Sequence, residues 1–436
     1  MLTALQQQEA MPLKLRQRLA ERFPTVLSAM REIAESYLLR GKRKPDDSDS
    51  GDGRELGFCR STVLQGASGI YRPVAFINSG SAGTVFSGVK VSAVSEAEGG
   101  AADRWRAATQ RIAGAPVPAA GFDVTSGIVL KRINRTQADS AENEFSIASR
   151  VAQGPAGRFC VSYLDRVVDG AGQLWLVLQR VRASSYGVDL AEYICNGFFQ
   201  QPGRKGLARE AVLQLLRSLV HIGAAGVVMR DVKPDNVLVE FEESGDGQNE
   251  RIHLRWTDFG LAVDLADGGT RLRRPAPDGS ERDLAKQLVG WWYDTQKQVP
   301  KPKWRNRCPP ERCYQEGAAG RYDVYMLGII FCCIATGIDW PHLGSKVVDG
   351  AVEGLVGEPL PSDYLECLEL GSFMQRHQEV FESCFVETFG GLFGPRLFSV
   401  ATTMLETDPH RRASPEQAIG DLGDAQGAEC GERVPT

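Results

Sequence analysis

Within the seven residues RDVKPDN, positions 230 to 236, the chain gathers a carboxylate at Asp231, an ammonium at Lys233 and a side-chain amide at Asn236. A second acid, Asp258, stands in the tripeptide DFG, two predicted strands further on. Phosphoryl transfer uses these residue types. A carboxylate orients the attacking hydroxyl, a cation meets the developing charge, and oxygen ligands hold Mg²⁺. Asp231 and Lys233 are therefore the candidate catalytic residues, and Asn236 and Asp258 the candidate Mg²⁺ ligands.

Two further features fit phosphate handling. Lys131 ends the apolar strand IVLK, where a buried ammonium requires an anion. Glu144, on the helical segment that follows, can supply it, with Glu142 the nearest competitor and a surface lysine beside an exposed glutamate the plain alternative. In INSGSAGTVF, Gly80 and Gly83 occupy a strand-turn-strand context in which backbone N–H groups can approach phosphate oxygens, although any tight hairpin uses glycine. The P-loop consensus is absent.

The elements that must position these residues are legible as a change of period. VAFINSGSAGTVFSGVKV and GIVLKRI alternate as strands, separated by an Ala/Gly/Ser-rich insert over 93–127. ENEFSIASRVA has helical spacing, and RFCVSYLDRVV with GQLWLVLQRV predicts a hairpin across DGAG. After about residue 188 the chain turns mainly helical, REAVLQLLRSLVHIG being the clearest amphipathic segment. The expected domains are a helical extension and polar linker over 1–58, a first lobe over 59–182, a second over 183–422 and a loose tail over 423–436. The fold class is α+β, with a small antiparallel sheet plus one helix, followed by a mostly helical lobe.

Composition limits the partners. The net charge is −5, which gives no global basic field for nucleic acid. The ten cysteines form no CxxC pair and read as scattered intracellular thiols. The longest apolar run, VYMLGIIFCCIATGI at 324–338, is shorter than the roughly 20 residues of a membrane span and predicts a buried helix. No secretory leader is expected at the N-terminus. The expectation is a soluble intracellular protein, cytoplasmic by default, with no integral membrane segment.

In order along the chain, Gly80 and Gly83, Lys131, Glu144, Asp231, Lys233, Asn236 and the DFG at 258–260 resemble the eukaryotic protein kinase superfamily over roughly residues 70–422. The resemblance implies a bilobal fold, ATP and Mg²⁺ as cofactors, and transfer of the γ-phosphate to protein Ser/Thr hydroxyls, since Lys233 follows the Ser/Thr branch. A pseudokinase scaffold is the alternative. By position it implies Asn78, Gly80 and Gly83 in the nucleotide loop, Val85, Val129 and Leu238 around adenine, Leu178 as gatekeeper, and Gln179 to Val181 as hinge. It also implies that Lys131 and Glu144 grip the α and β phosphates, that Asp323 anchors the catalytic-loop backbone, and that Arg412 pairs with Glu311 of the PPE at 309–311. A narrower resemblance, carried by DFGLAVDLADG, RCPPERC and RYDVYMLGIIF among others, is to the chloroplast thylakoid kinases of plants and algae, which makes chloroplast the alternative compartment.

Three departures stand out. Asn78 replaces the first glycine of the nucleotide loop, and asparagine tolerates unusual backbone angles. Met229 replaces the histidine before Arg230, which implies an adaptable apolar contact to Phe259 in place of a polar one. The segment 261–308 is long, carries Trp304 where a threonine is usual, and holds ten Lys/Arg against four Asp/Glu between 271 and 307. That excess predicts either a basic dock for acidic substrates or a solvated loop. Thr270, Ser280, Tyr293 and Thr295 are its candidate phosphoacceptors, which Arg230 could clamp.

Overall fold

The computed structural model describes residues 62–79, 83–93, 122–134, 138–182, 184–242, 250–264, 273–275, 281–283, 293–294, 299–300, 319–360 and 369–429. They group into two units, one holding residues up to Asp139 together with Tyr163–Arg180, the other Ser140–Ser162 and the chain from Val181 on.

The first unit is one six-stranded antiparallel sheet in the order β1-β2-β3-β4-β6-β5. Its strands are β1 (Leu64–Gln65), β2 (Ile70–Ser79), β3 (Gly83–Ala93), β4 (Phe122–Ile133), β5 (Tyr163–Val168) and β6 (Leu174–Gln179). Alternation sorts the side chains to two faces. Tyr71, Phe86, Leu130, Trp175 and Val177 form the core with Leu64, Ile128 and Val167. Each such side chain contributes roughly 1.5–3 kcal/mol by leaving water. The β5–β6 hairpin forms as predicted, its turn held by Asp169 Oδ1, which accepts from the backbone N–H groups of Ala171 and Gln173 at 2.9 Å each. The β3–β4 ladder runs on to Ala93↔Phe122, so both edges of the expected 93–127 insert are strand.

The second unit begins with α1 (Ala138–Gln153), most of which groups here. The physical reason is local: its side chains hydrogen-bond residues 262 and 264 of this unit. There follow α2 (Leu190–Cys195), α3 (Lys205–Ala224), β7 (Val227–Val228), β8 (Val237–Glu242), β9 (Arg251–Trp256) and β10 (Val263–Asp264). β8 pairs with β9, and β10 with β7. Later come α4 (Ala319–Thr336), α5 (Lys346–Val356), α6 (Leu370–Arg376), α7 (Gln378–Phe389), α8 (Phe393–Met404) and α9 (Pro415–Glu429). Two short antiparallel ladders join 273–275 to 281–283 and Tyr293–Asp294 to Val299–Pro300.

α4 is apolar all round and is accordingly buried, as its composition predicted. No helix among the described residues is long and apolar enough to cross a membrane. α9 carries the chain to Glu429, so the expected tail from 423 is helix over its first half. The expectations for residues 1–58, Gly80, the interior of the insert, Thr270, Ser280, Thr295, Trp304, Glu311 with the PPE, and 430–436 lie outside the described residues.

Candidate active site

α3 sets the position of the strands that carry the acids. Its buried Gln214 donates to the Ile252 carbonyl at 2.7 Å and accepts from Leu254 N at 3.0 Å. Ser218 Oγ accepts from Trp256 Nε1 at 2.7 Å. β9 is thereby fixed along its length. In the β8–β9 hairpin Val237 lies opposite Trp256, and Thr257 N donates to the Asn236 carbonyl at 2.9 Å. This register places Asn236 and Asp258 at the same end of one hairpin, although 22 positions separate them in the chain numbering.

Between β7 and β8 the residues 231–236 fold back on themselves. Pro234 opens a 3-10 turn over Pro234–Asn236, with Asn236 N donating to the Lys233 carbonyl at 3.1 Å. Asn236 Nδ2 donates to both the Asp231 carbonyl and Asp231 Oδ2, each at 2.9 Å. Lys233 Nζ lies 2.7 Å from the same Oδ2. Among the described residues the side chains of Lys233 and Asn236 converge on Oδ2 of Asp231. With its amide nitrogen committed to Asp231, Asn236 keeps its Oδ1 as an acceptor with no donor to it among the described residues.

The loop is hung from α4. Asp323 Oδ2 accepts from Met229 N at 2.7 Å, and Oδ1 from Arg230 N at 2.8 Å. Burial pushes the Asp323 carboxyl up to about 6, against the pull of these two backbone donors and of the Arg230 guanidinium. Arg230 and Asp258 both adopt left-handed backbone, with φ of 65° and 60°. For residues with a Cβ this conformation costs about 1–2 kcal/mol each, and it persists where the surroundings hold it. Met229 is buried and keeps its backbone donor engaged, as is Phe259 of the DFG. Arg412 is fully buried, donating to the Glu406 and Arg321 carbonyls at 3.0 and 2.7 Å.

In the first unit, Asn78, Val85 and Lys131 line up across β2, β3 and β4 as successive register partners. Val129, two residues before Lys131, shares its face of the sheet. Lys131 is only 8 % exposed. Gly83 has a packing reason of its own, because a Cβ there would sit 2.1 Å from the Arg132 carbonyl oxygen. Gln179 ends β6 exposed, and Val181 is buried. In the second unit, Glu144 is the buried acid of α1, at 2 % exposure, and Glu142 is half-buried. Leu238 is half-buried on β8.

A sequence model of the protein kinase domain matches residues 124–421, about two thirds of the chain. The chain belongs to the protein kinase domain family. Similar proteins include the serine/threonine-protein kinase pkn3 of Myxococcus xanthus, 27 % identical over 46 % of this chain and 30 % of that protein. The serine/threonine-protein kinase cds1 of Schizosaccharomyces pombe is 32 % identical over 24 % of this chain and 20 % of its own length. CBL-interacting protein kinase 20 of rice is 32 % identical over 29 % and 24 %. The chain thus spans under a third of the length of these curated relatives. Within this kinase domain, sequence reasoning missed Asn143 and Arg150 of α1, which bind the Ala262 carbonyl and Asp264. Their seven-residue spacing marks one helix face, but nothing local names the partners.

Proposed function

We propose that the chain is a protein serine/threonine kinase that transfers the ATP γ-phosphate to a protein hydroxyl with Mg²⁺. The observation that carries this reading is the Asp231 carboxylate, one oxygen of which is fixed by Lys233 and Asn236. In this arrangement the remaining oxygen accepts the hydrogen bond of the acceptor hydroxyl and takes its proton as the phosphoryl group leaves ATP. Lys233, whose ammonium has three donors, keeps one on Asp231 and offers the others to the transferring phosphoryl group.

Asn236 and Asp258 offer the hard oxygen donors that Mg²⁺ prefers, and a magnesium site needs only one or two carboxylates alongside phosphate oxygens. When bound, the metal neutralises phosphate charge. In the first unit we assign Lys131 to the phosphates, Asn78 and Gly83 to the nucleotide loop, and Val85, Val129 and Gln179 to the base; in the second we assign Glu144 to orienting a phosphate-binding cation, and Val181 and Leu238 to the base. Acidic residues near the acceptor hydroxyl are favoured by the excess of ten Lys/Arg over four Asp/Glu between 271 and 307.

The test is phosphorylation of the chain itself or of a generic Ser/Thr acceptor by the purified full-length protein with Mg²⁺ and ATP. Asp231→Asn should lower kcat by about 10²–10⁴-fold. Asp258→Ala should abolish both transfer and the Mg²⁺-dependent part of the thermal stabilisation by ATP. A wild-type chain that transfers no phosphate, or an Asp258→Ala protein that still shows metal-dependent stabilisation, would refute the assignment.

A further inference from the structure

The segment after Asp258 is gripped from two sides. On one, β10 pairs with β7, Val263 opposite Val228 and Asp264 opposite Val227, immediately ahead of Met229 and Arg230. On the other, α1 supplies two side chains. Asn143 Nδ2 donates to the Ala262 carbonyl at 2.9 Å, and Arg150 Nη1 forms an ion pair with Asp264 Oδ2. Seven residues apart, Asn143 and Arg150 lie two turns from each other on one face of α1. The Nε and Nη2 atoms of Arg150 are shielded from solvent and have no partner among the described residues, so its guanidinium is oriented through Asp264.

Between these grips and β9 lies a strained turn. Asp258 is left-handed, Gly260 N reaches back to Asp258 Oδ1 at 3.4 Å, and Ala262 N donates to the Phe259 carbonyl at 3.0 Å. The first of these bonds is at the limit of useful length. A residue in this backbone region persists only where its surroundings fix both ends. The upstream end is fixed by the β8–β9 hairpin, and the downstream end by the bonds at 262 and 264.

We infer that Asn143 and Arg150 are positioning residues for Asp258. By clamping residues 262–264 to α1 they hold the turn in which Asp258 keeps its left-handed backbone and its carboxylate stays aimed for the metal. Neither touches phosphate in this scheme. The inference rests on the reading of Asp258 as a magnesium ligand. It goes beyond that reading in naming two residues that act on Asp258 through the backbone at 262 and the side chain of Asp264.

Hydrogen exchange of the peptide covering 257–264 in the nucleotide-free full chain reads the clamp without reference to activity, and the Mg²⁺ concentration for half-maximal rate reads its consequence. Asn143→Ala and Arg150→Ala should each speed exchange in that peptide and raise the Mg²⁺ requirement, by about tenfold for Arg150→Ala. The reversed pair Arg150→Asp with Asp264→Arg should bring both back to within about threefold of wild type. Wild-type exchange and Mg²⁺ dependence in both single variants would overturn the inference. So would losses in Arg150→Ala that follow its melting temperature and are not rescued by the reversed pair. A wild-type chain without transferase activity would instead sink the kinase assignment, while the exchange data still test the clamp.

Discussion

Replacing Asp323 with asparagine should separate the stability of the domain from the geometry of the loop that carries Asp231. The carboxylate is buried, and its pKa lies at about 6 against an ordinary 3.8. At pH 7.5 the folded protein therefore holds a charge that is disfavoured by about 3 kcal/mol relative to water. Asparagine removes that burden. It also turns an NH₂ toward one of the two backbone donors, Met229 N or Arg230 N. An unsatisfied buried N–H costs about 1–3 kcal/mol, so the two effects offset to within about 2 kcal/mol and Tm should move by no more than about 8 °C.

The orphaned donor nevertheless belongs to Met229 or to the left-handed Arg230 at the mouth of the loop that carries Asp231. The same 1–3 kcal/mol, felt as loop misplacement, lowers kcat by about 5- to 150-fold. Differential scanning fluorimetry and steady-state kinetics on one preparation decide the matter. An Asp323→Asn protein that melts more than about 15 °C below wild type, or that keeps kcat within a factor of about two, refutes the reasoning.

The pH dependence gives a second reading of the same group. Its folded pKa is above its unfolded value, so between about pH 4 and 6 the folded state binds more protons than the unfolded state. Its contribution to stability is then present below about pH 4 and lost as pH rises through about 6. Relative to wild type, Asp323→Asn should gain stability over that interval and hold level above it. In catalysis the sign reverses: protonation of Asp323 removes an acceptor from the loop, so wild-type kcat should fall as pH drops through about 6.

Two substitutions test the neighbouring assignments. Asn236→Ala removes the donor to Asp231 Oδ2 and the amide oxygen together, and should raise the Mg²⁺ needed for half-maximal rate about tenfold with little change in Tm, as read by metal titration of the rate. Arg412→Met leaves the Glu406 and Arg321 carbonyls without their buried donor and should cost about 2–6 kcal/mol, a fall in Tm of roughly 5–20 °C by fluorimetry. Arg412→Lys should not restore it, since one ammonium does not reproduce the guanidinium fork between two carbonyls.

Much of the site was legible in the sequence because its chemistry is local. Asp231, Lys233 and Asn236 fall within six residues, and a single proline-led turn suffices to bring their side chains together. The sheet was legible in its two-residue period, and α4 in a run apolar enough that only burial suits it. The role of Asp323 came from resemblance, since a bond spanning 94 positions follows from no local period.

What only the tertiary structure decided are contacts whose two ends are set by different elements. Asn143 finds the Ala262 carbonyl 119 positions away, and Arg150 finds Asp264 at 114. Both depend on how α1 packs, and that packing places most of the helix in the second unit. Gly83 read as a phosphate-approach glycine, yet the Arg132 carbonyl across the ladder leaves no room for a Cβ. Sequence fixes which groups can react wherever neighbours in the chain are neighbours in space. In the proposed clamp the orientation of Asp258 depends on side chains more than a hundred positions away, so it is a property of the folded packing alone.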